Sequence, residues 1–143
     1  MINKKFDLSL HNKYDDVGRT VVKKYFKSKL NIDAIDNSDI YGVDLILTKN
    51  NNVVGYAEVE VRNNWDKDNF PFDTLNVPSR KKKLLENEMP TFFFSVNKIL
   101  TRMFCCKAEI VLQCPLVENK NKYVKDGEYF YKVPVNDLKL IIL

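Results

Sequence analysis

Between Tyr41 and Arg62 the apolar positions recur at every second residue, in two runs. In YGVDLILTKNNNVVGYAEVEVR, Val43, Leu45 and Leu47 point to one side, and Asp44 and Ile46 to the other. In the second run Ala57, Val59 and Val61 share a face, with Glu58, Glu60 and Arg62 opposite. A period of two is that of a strand. The Asn-rich stretch between the runs predicts an antiparallel hairpin whose turn runs from Lys49 to Val53. Both apolar rows must lie on one side of the sheet, and a slip of one residue would flip one of them. Leu45 opposite Ala57 satisfies that parity. Asp44 then lies opposite Glu58, with Cβ atoms roughly 5 Å apart. The pattern therefore gathers Asp44, Glu58 and Glu60 on one polar face.

Other periods mark the rest of the chain. Tyr14, Val17, Gly18, Val21, Val22, Tyr25, Phe26 and Leu30 form a helical stripe that Asn31 ends. Met1 to Lys13 reads as an irregular arm, and Asp15 and Asp16 fall in the first turn, where acids suit the helix dipole. Asn31 to Asp39 bridges to the hairpin, with Ile32 and Ile35 covering the core. Asn63 to Pro78 reads as a long loop anchored by Trp65, Phe70 and Phe72. These aromatics either pack on the sheet edge or form a stacking platform beside the acids. Ser79 reads as the N-cap of a short helix, Arg80 to Asn87. Thr91 to Val96, TFFFSV, is too aromatic and continuous for an outer strand, which makes it a central one. A further strand signal covers Arg102 to Gln113, broken near Lys107. Pro115 to Gly127 is a polar excursion with a turn at Lys125-Asp126-Gly127. Glu128 to Val133 is the last strand, and Val135 to Leu143 docks on the core. The expectation is α/β: a mixed sheet of about five strands flanked by helices, as one domain over residues 1–143.

Like charges directly across a ladder are destabilising. A divalent cation removes the penalty, and Mg²⁺ is commonly held by one or two carboxylates with water and phosphate oxygens. The plain alternative is an outer face in solvent, its acids balanced by Arg62 and neighbouring lysines. The first turn of the Ser79 helix poses a related choice. Arg80, Lys81, Lys82 and Lys83 have the wrong sign for a helix N-terminus, at a cost of a few tenths of a kcal/mol or more. They are either a solvated face or a phosphate-binding turn.

The hairpin resembles the core of the PD-(D/E)XK nuclease superfamily, the restriction endonuclease-like fold. There a strand opening with Asp is followed by a strand carrying Asp/Glu-x-Lys. Gly42-Val43-Asp44 stands in the first place and Glu58-Val59-Glu60 in the second, over a likeness in element order from Tyr14 to Val96. Glu60 replaces the usual Lys, as in a minority of restriction endonucleases of that superfamily. The resemblance implies a Mg²⁺- or Mn²⁺-dependent nuclease acting on DNA. Asp44 and Glu58 would hold the metal, with the Val59 carbonyl and Asp16 as further ligands. Glu60 would orient or deprotonate water, or bind a second ion. Arg62, Arg80 or Lys81 would supply the missing positive charge. Arg80, Lys81, Lys82, Lys83 and Trp65 would contact the nucleic acid. The rival is a module of the same fold that binds nucleic acid or a protein and catalyses nothing. A homodimer is open to either.

Composition narrows the classes. The chain is 45% hydrophobic and 29% charged, with a net charge of +4 that permits a nucleic-acid partner without requiring one. No apolar run spans a bilayer and no signal peptide is evident, so no membrane partner is expected. Cys105, Cys106 and Cys114 lack metal-ligand spacing and are odd in number, which argues against a disulfide framework and for a reducing, intracellular, cytoplasmic setting. His11, the one histidine, falls in a predicted loop and rules against a His-based triad. The abundance of Asn, Lys and Ile is that of an AT-rich genome, a viral one among them, which would place the protein in a host cytoplasm. Nothing in the sequence favours a structural subunit of a virus particle.

Overall fold

The computed structural model describes residues 8–39, 41–121 and 124–143, with side chains over 16–39, 41–118 and 128–143. Helix α1 spans Leu8–Leu30 and so begins before the stripe at Tyr14. No Gly or Pro interrupts Leu8 to Lys13, and polar residues on an outer turn do not stop a helix. His11 is therefore helical rather than in a loop, and Asp15 and Asp16 lie inside the helix, away from its N-terminal end. The middle of the stripe packs as the period requires, whereas Leu30 at its end is exposed and the side chain of Tyr14 lies outside the described residues. Val22 and Phe26 are buried, with Val21 and Tyr25 beside them. A Cβ on Gly18 would come within 2.9 Å of Val61 Cγ2, so the helix approaches the sheet closely there. Asn31 closes the helix in the left-handed region at φ 52°. The Ile32 N–H then donates to the Phe26 carbonyl at 3.1 Å.

Strands follow in the order β1 (Asp33–Asp36), β2 (Leu45–Lys49), β3 (Asn52–Arg62), β4 (Thr74–Pro78), β5 (Thr91–Asn97), β6 (Arg102–Lys107), β7 (Leu116–Asn121), β8 (Val124–Pro134) and β9 (Lys139–Ile142). Six of them form one mixed sheet, ordered β1-β2-β3-β5-β6-β9. The other three form a second sheet, β4-β8-β7. The fold is α/β with a mixed sheet, but the main sheet is wider than about five strands. Four of the expected strands lie in it, and the fifth, Glu128 to Val133, falls in β8 of the second sheet. The two edges are additions: β1, in the supposed bridge, and β9, from the docked terminus and after the strand expected to be last. Ile32 packs on the core, whereas Ile35, on the edge strand, is exposed.

The hairpin has the register that the apolar rows require. Leu45 lies opposite Ala57, Ile46 opposite Tyr56 and Leu47 opposite Gly55. The turn is tighter than Lys49 to Val53, because Lys49 already pairs with Asn52. Asn50 and Asn51 carry it with φ of 52° and 65°. Two successive positive φ values match the right-handed twist of hairpin strands, and Asn tolerates them. A register shift between Leu47 and Thr48 absorbs the difference.

TFFFSV forms β5 at the centre of the sheet, parallel to β3 and antiparallel to β6. Its residues divide between two cores. Phe94 and Val96 meet α1 with Leu45, Ala57 and Val59. Phe93 faces the other side, where Leu75, Val77 and Val133 of the second sheet cover it. That side of the main sheet is thus roofed over β5 and β6 by the second sheet, and Glu58 of β3, paired with Phe93, is buried with it.

The roof also explains Trp65. The expected long loop contains β4, and Trp65 is fully buried below it, stacked on Phe104 at 4.8 Å and edge-on to Phe70. Its indole N–H donates to the Asp68 carbonyl. Trp65 is core, not a nucleic-acid contact, because it fills the space between the two sheets. Phe72 remains exposed.

The predicted helix from Arg80 to Asn87 is shorter. A 3-10 turn covers Ser79–Lys81, and α2 covers Lys82–Leu85. Ser79 makes no side-chain cap, since it lies within the turn. The break near Lys107 is the junction of β6 with α3 (Ala108–Gln113). Lys125, Asp126 and Gly127 lie within β8 instead of in a turn. Asn121 pairs with Val124 and Asn119 with Glu128, so these three residues face residue 120 alone. Turn-forming residues there accommodate a bulge. The three cysteines are free, and burial pushes the Cys105 and Cys106 thiols up to about 11 and about 12. They pack as small hydrophobes. Among the described residues no helix is long and apolar enough to cross a membrane.

Candidate active site

Asp44 directly precedes β2, one step beyond the Leu45–Ala57 pair, and so lies level with Glu58. Its Oδ2 accepts the Val59 N–H at 2.8 Å. In an extended strand the N–H and C=O of one residue point along the same edge. The Val59 carbonyl therefore faces the Asp44 side, where β2 has ended. Glu58 is 1% exposed, beneath the second sheet. Its Oε2 accepts the Lys81 ammonium at 3.0 Å, and its buried Oε1 has no hydrogen-bond partner among the described residues. Burial, foremost, and the neighbouring Asp44 charge raise its pKa from 4.5 to about 7, against the pull of Lys81.

Lys81 reaches this acid because β4 ends at Pro78 and the chain turns at once into the Ser79–Lys81 turn. Arg80, Lys82 and Lys83, its neighbours, are exposed, and Lys82 pairs with Glu86 at 3.5 Å.

Glu60 and Arg62 share the face of Glu58 but bind each other. Arg62 Nη2 donates to Glu60 Oε1 at 2.9 Å and to the Asn76 carbonyl at 2.8 Å. Its Nε donates to Ser95 Oγ at 3.3 Å. This guanidinium ties β3, β4 and β5 together. Ser95 and Asn76 were not anticipated as partners. The signal for Ser95 lay in TFFFSV, where it is the polar break in phase with Phe93 on the face now seen to carry Glu58. Asn76 had no comparable signal, because its contact comes from the second sheet.

Asp16 lies apart. Its carboxylate pairs with Arg19, which also meets Asp36 at 3.1 Å, on the helix that packs against the opposite face of the sheet. The expected fourth ligand is therefore an ion-pair partner within α1. The site gathers Asp44, Glu58 and Lys81, with Glu60 and Arg62 alongside. Among the described residues no three His, Cys, Asp or Glu side chains converge on one cation position. Two carboxylates suffice for Mg²⁺ where water and substrate oxygens complete the shell. The orphaned, buried Glu58 oxygen beside a second carboxylate has the chemistry of such a ligand pair. No protein-family model, curated protein or solved structure matches the chain.

Proposed function

We propose that the protein is a Mg²⁺- or Mn²⁺-dependent nuclease that hydrolyses phosphodiester bonds, in DNA first of all. The carrying observation is the buried Glu58 carboxylate, level with Asp44 and with one oxygen unpartnered. A buried charge or polar atom left without a partner is costly, and a hard cation between two carboxylates offsets that cost. Asp44 and Glu58 would hold the ion, with the Val59 carbonyl on the same edge. When bound, it polarises the phosphate and lowers the pKa of its water. Lys81 stands in for the Lys that Glu60 replaces, placing positive charge beside the acid pair. Glu60, steered by Arg62, is the group to orient the attacking water. Exposed Arg80, Lys82 and Lys83 would contact flanking phosphates.

A second reading, a non-catalytic module of the same fold that binds nucleic acid or a protein, draws on the pairs themselves. Lys81 neutralises Glu58 and Arg62 neutralises Glu60 without any ion. Mn²⁺-dependent melting shifts and cleavage of plasmid, linear, single-stranded and branched DNA separate the two, with parent and Glu58→Ala compared. The nuclease reading expects the parent to melt higher with Mn²⁺ and to cleave. It expects Glu58→Ala to lose the shift and at least about 100-fold in rate, as a lost ligand costs more than a lost supporting contact. A parent that shows neither response refutes the enzyme and leaves the binding module.

A further inference from the structure

We infer that the nucleic acid taken by this site is unpaired beside the scissile phosphate, and that Tyr41 stacks on the adjacent base. The inference rests on the nuclease reading above and specifies its substrate. Tyr41 is 87% exposed, the most open of the large apolar and aromatic side chains described. Its backbone is nevertheless fixed. The Asp39 N–H donates to Asn37 Oδ1 at 3.1 Å and the Tyr41 N–H to Asp39 Oδ1 at 3.0 Å. The Gly42 N–H donates to the Asp39 carbonyl at 3.1 Å, and the Asn37 N–H to the Asp44 carbonyl at 3.1 Å. Asn37 Nδ2 donates to the Val43 carbonyl at 3.0 Å. A Cβ on Gly42 would come within 2.6 Å of that same Nδ2, so a larger residue there would displace the Asn37 amide from the turn. A ring held in water on an anchored backbone, with no partner ring among the described residues, is preorganised to receive a flat ligand.

Position names the ligand. Tyr41 is three residues before Asp44, and three residues span at most about 11 Å. With the length of its own side chain, the ring reaches a base within one or two nucleotides of a phosphate at Asp44. Bases inside a duplex already stack on each other and must be extruded before a protein ring can take their place. An unpaired strand offers its base faces freely, and stacking on an aromatic ring accepts any base. Burial of Glu58 points the same way. The phosphate must be brought to a carboxylate below the surface, which a flexible strand follows more readily than a stiff duplex.

The test measures binding of labelled oligothymidine and of a duplex of equal length in Ca²⁺, so that affinity is read without cleavage. Parent, Tyr41→Ala and Tyr41→Trp are compared. The expected result is tighter binding of the single strand by the parent. Tyr41→Ala should weaken it by about five- to a hundredfold, the range of one base–aromatic stack. Duplex binding should stay unchanged, and Tyr41→Trp should retain single-strand affinity. An abasic residue that removes the stacked base should weaken the parent and leave Tyr41→Ala unaffected. If the parent binds both nucleic acids and Tyr41→Ala alters neither, or both equally, the inference is overturned while the nuclease reading stands. If the parent binds neither, that reading falls and the inference falls with it. Tyr41 is exposed, so its replacement leaves both cores intact.

Discussion

Two carboxylates in this molecule face cations at nearly the same distance, and their acidities move in opposite directions. Asp36, on the edge strand, meets Lys23 at 2.9 Å and Arg19 at 3.1 Å, with 57% of its side chain exposed. The Lys23 hydrogen bond is the main reason its pKa is lowered below 3.8. Glu58 meets Lys81 at 3.0 Å and is raised instead. The salt bridge alone does not set the sign. Water solvates the Asp36 anion and leaves the cations free to favour it. Around Glu58 the second sheet removes water, and Asp44 adds a like charge. Surface pairs of the first kind contribute little beyond order at an edge. A carboxylate of the second kind is held near neutrality, ready to be ionised by a stronger cation than lysine.

The contrast can be broken most forcefully at Lys81. In metal-free protein, Lys81→Ala should destabilise the fold at pH 8 by about 1–3 kcal/mol, because the buried anion loses its counter-charge. The loss should shrink toward pH 6, where Glu58 takes up a proton whether or not the amine is present. Urea titrations at the two pH values measure this. An equal loss at both would show that Glu58 does not titrate in the folded state.

A smaller effect sharpens the same point. Glu58 has a folded pKa of about 7 against an ordinary value of 4.5. The folded state therefore binds its proton more tightly. That stability is full below pH 4.5 and is lost as pH rises through about 7. The melting temperature of metal-free parent should fall from pH 5 to pH 8. Glu58→Gln, which cannot titrate, should not share that component of the fall. Coincident pH curves would remove Glu58 as its source.

Asp36→Asn should do least, within about 1 kcal/mol at neutral pH, and less in high salt. Its pH dependence should have the opposite sign. Stability from a depressed carboxylate is present above 3.8 and lost as pH falls through the folded value. Acid unfolding of parent and variant should therefore converge at the low end. A variant that loses several kcal/mol would show that the edge pair is no ordinary surface pair.

Local rules reached the hairpin and stopped short of its surroundings. Parity of two apolar rows set Leu45 against Ala57 and levelled Asp44 with Glu58, because a period of two admits no intermediate register. The same alternation left the outer face open to solvent, since nothing local reports what lies above a strand. The roof is built from β4 and β8, both outside the hairpin. Trp65 was left between packing on the sheet and a stacking platform for that reason: a bulky aromatic in a polar loop does not reveal whether it points inward. Asp16 was tied to the site only through the resemblance, and the helix that carries it packs on the other side of β3. Lys81, drawn from the same resemblance among four neighbouring cations, does meet Glu58, since Pro78 ends β4 next to it. Its neighbours remain in water.

The crossover that carries Lys81 has a consequence for the order in which the chain assembles. The β2–β3 hairpin is a local pairing closed by two asparagines, of the kind that forms in microseconds. Pairing of β3 with β5 must wait for the whole segment from residue 63 to residue 90 to be looped back, a non-local closure paid for in chain entropy. Glu58 sits on the early strand, and its counter-ion Lys81 and the β4 part of its roof both arrive with the late segment. During folding the two acids are first solvated and ionised, and Glu58 is desolvated only when the crossover closes. Closure between about pH 4.5 and pH 7 therefore draws a proton from solvent, which makes the final folding step sensitive to pH.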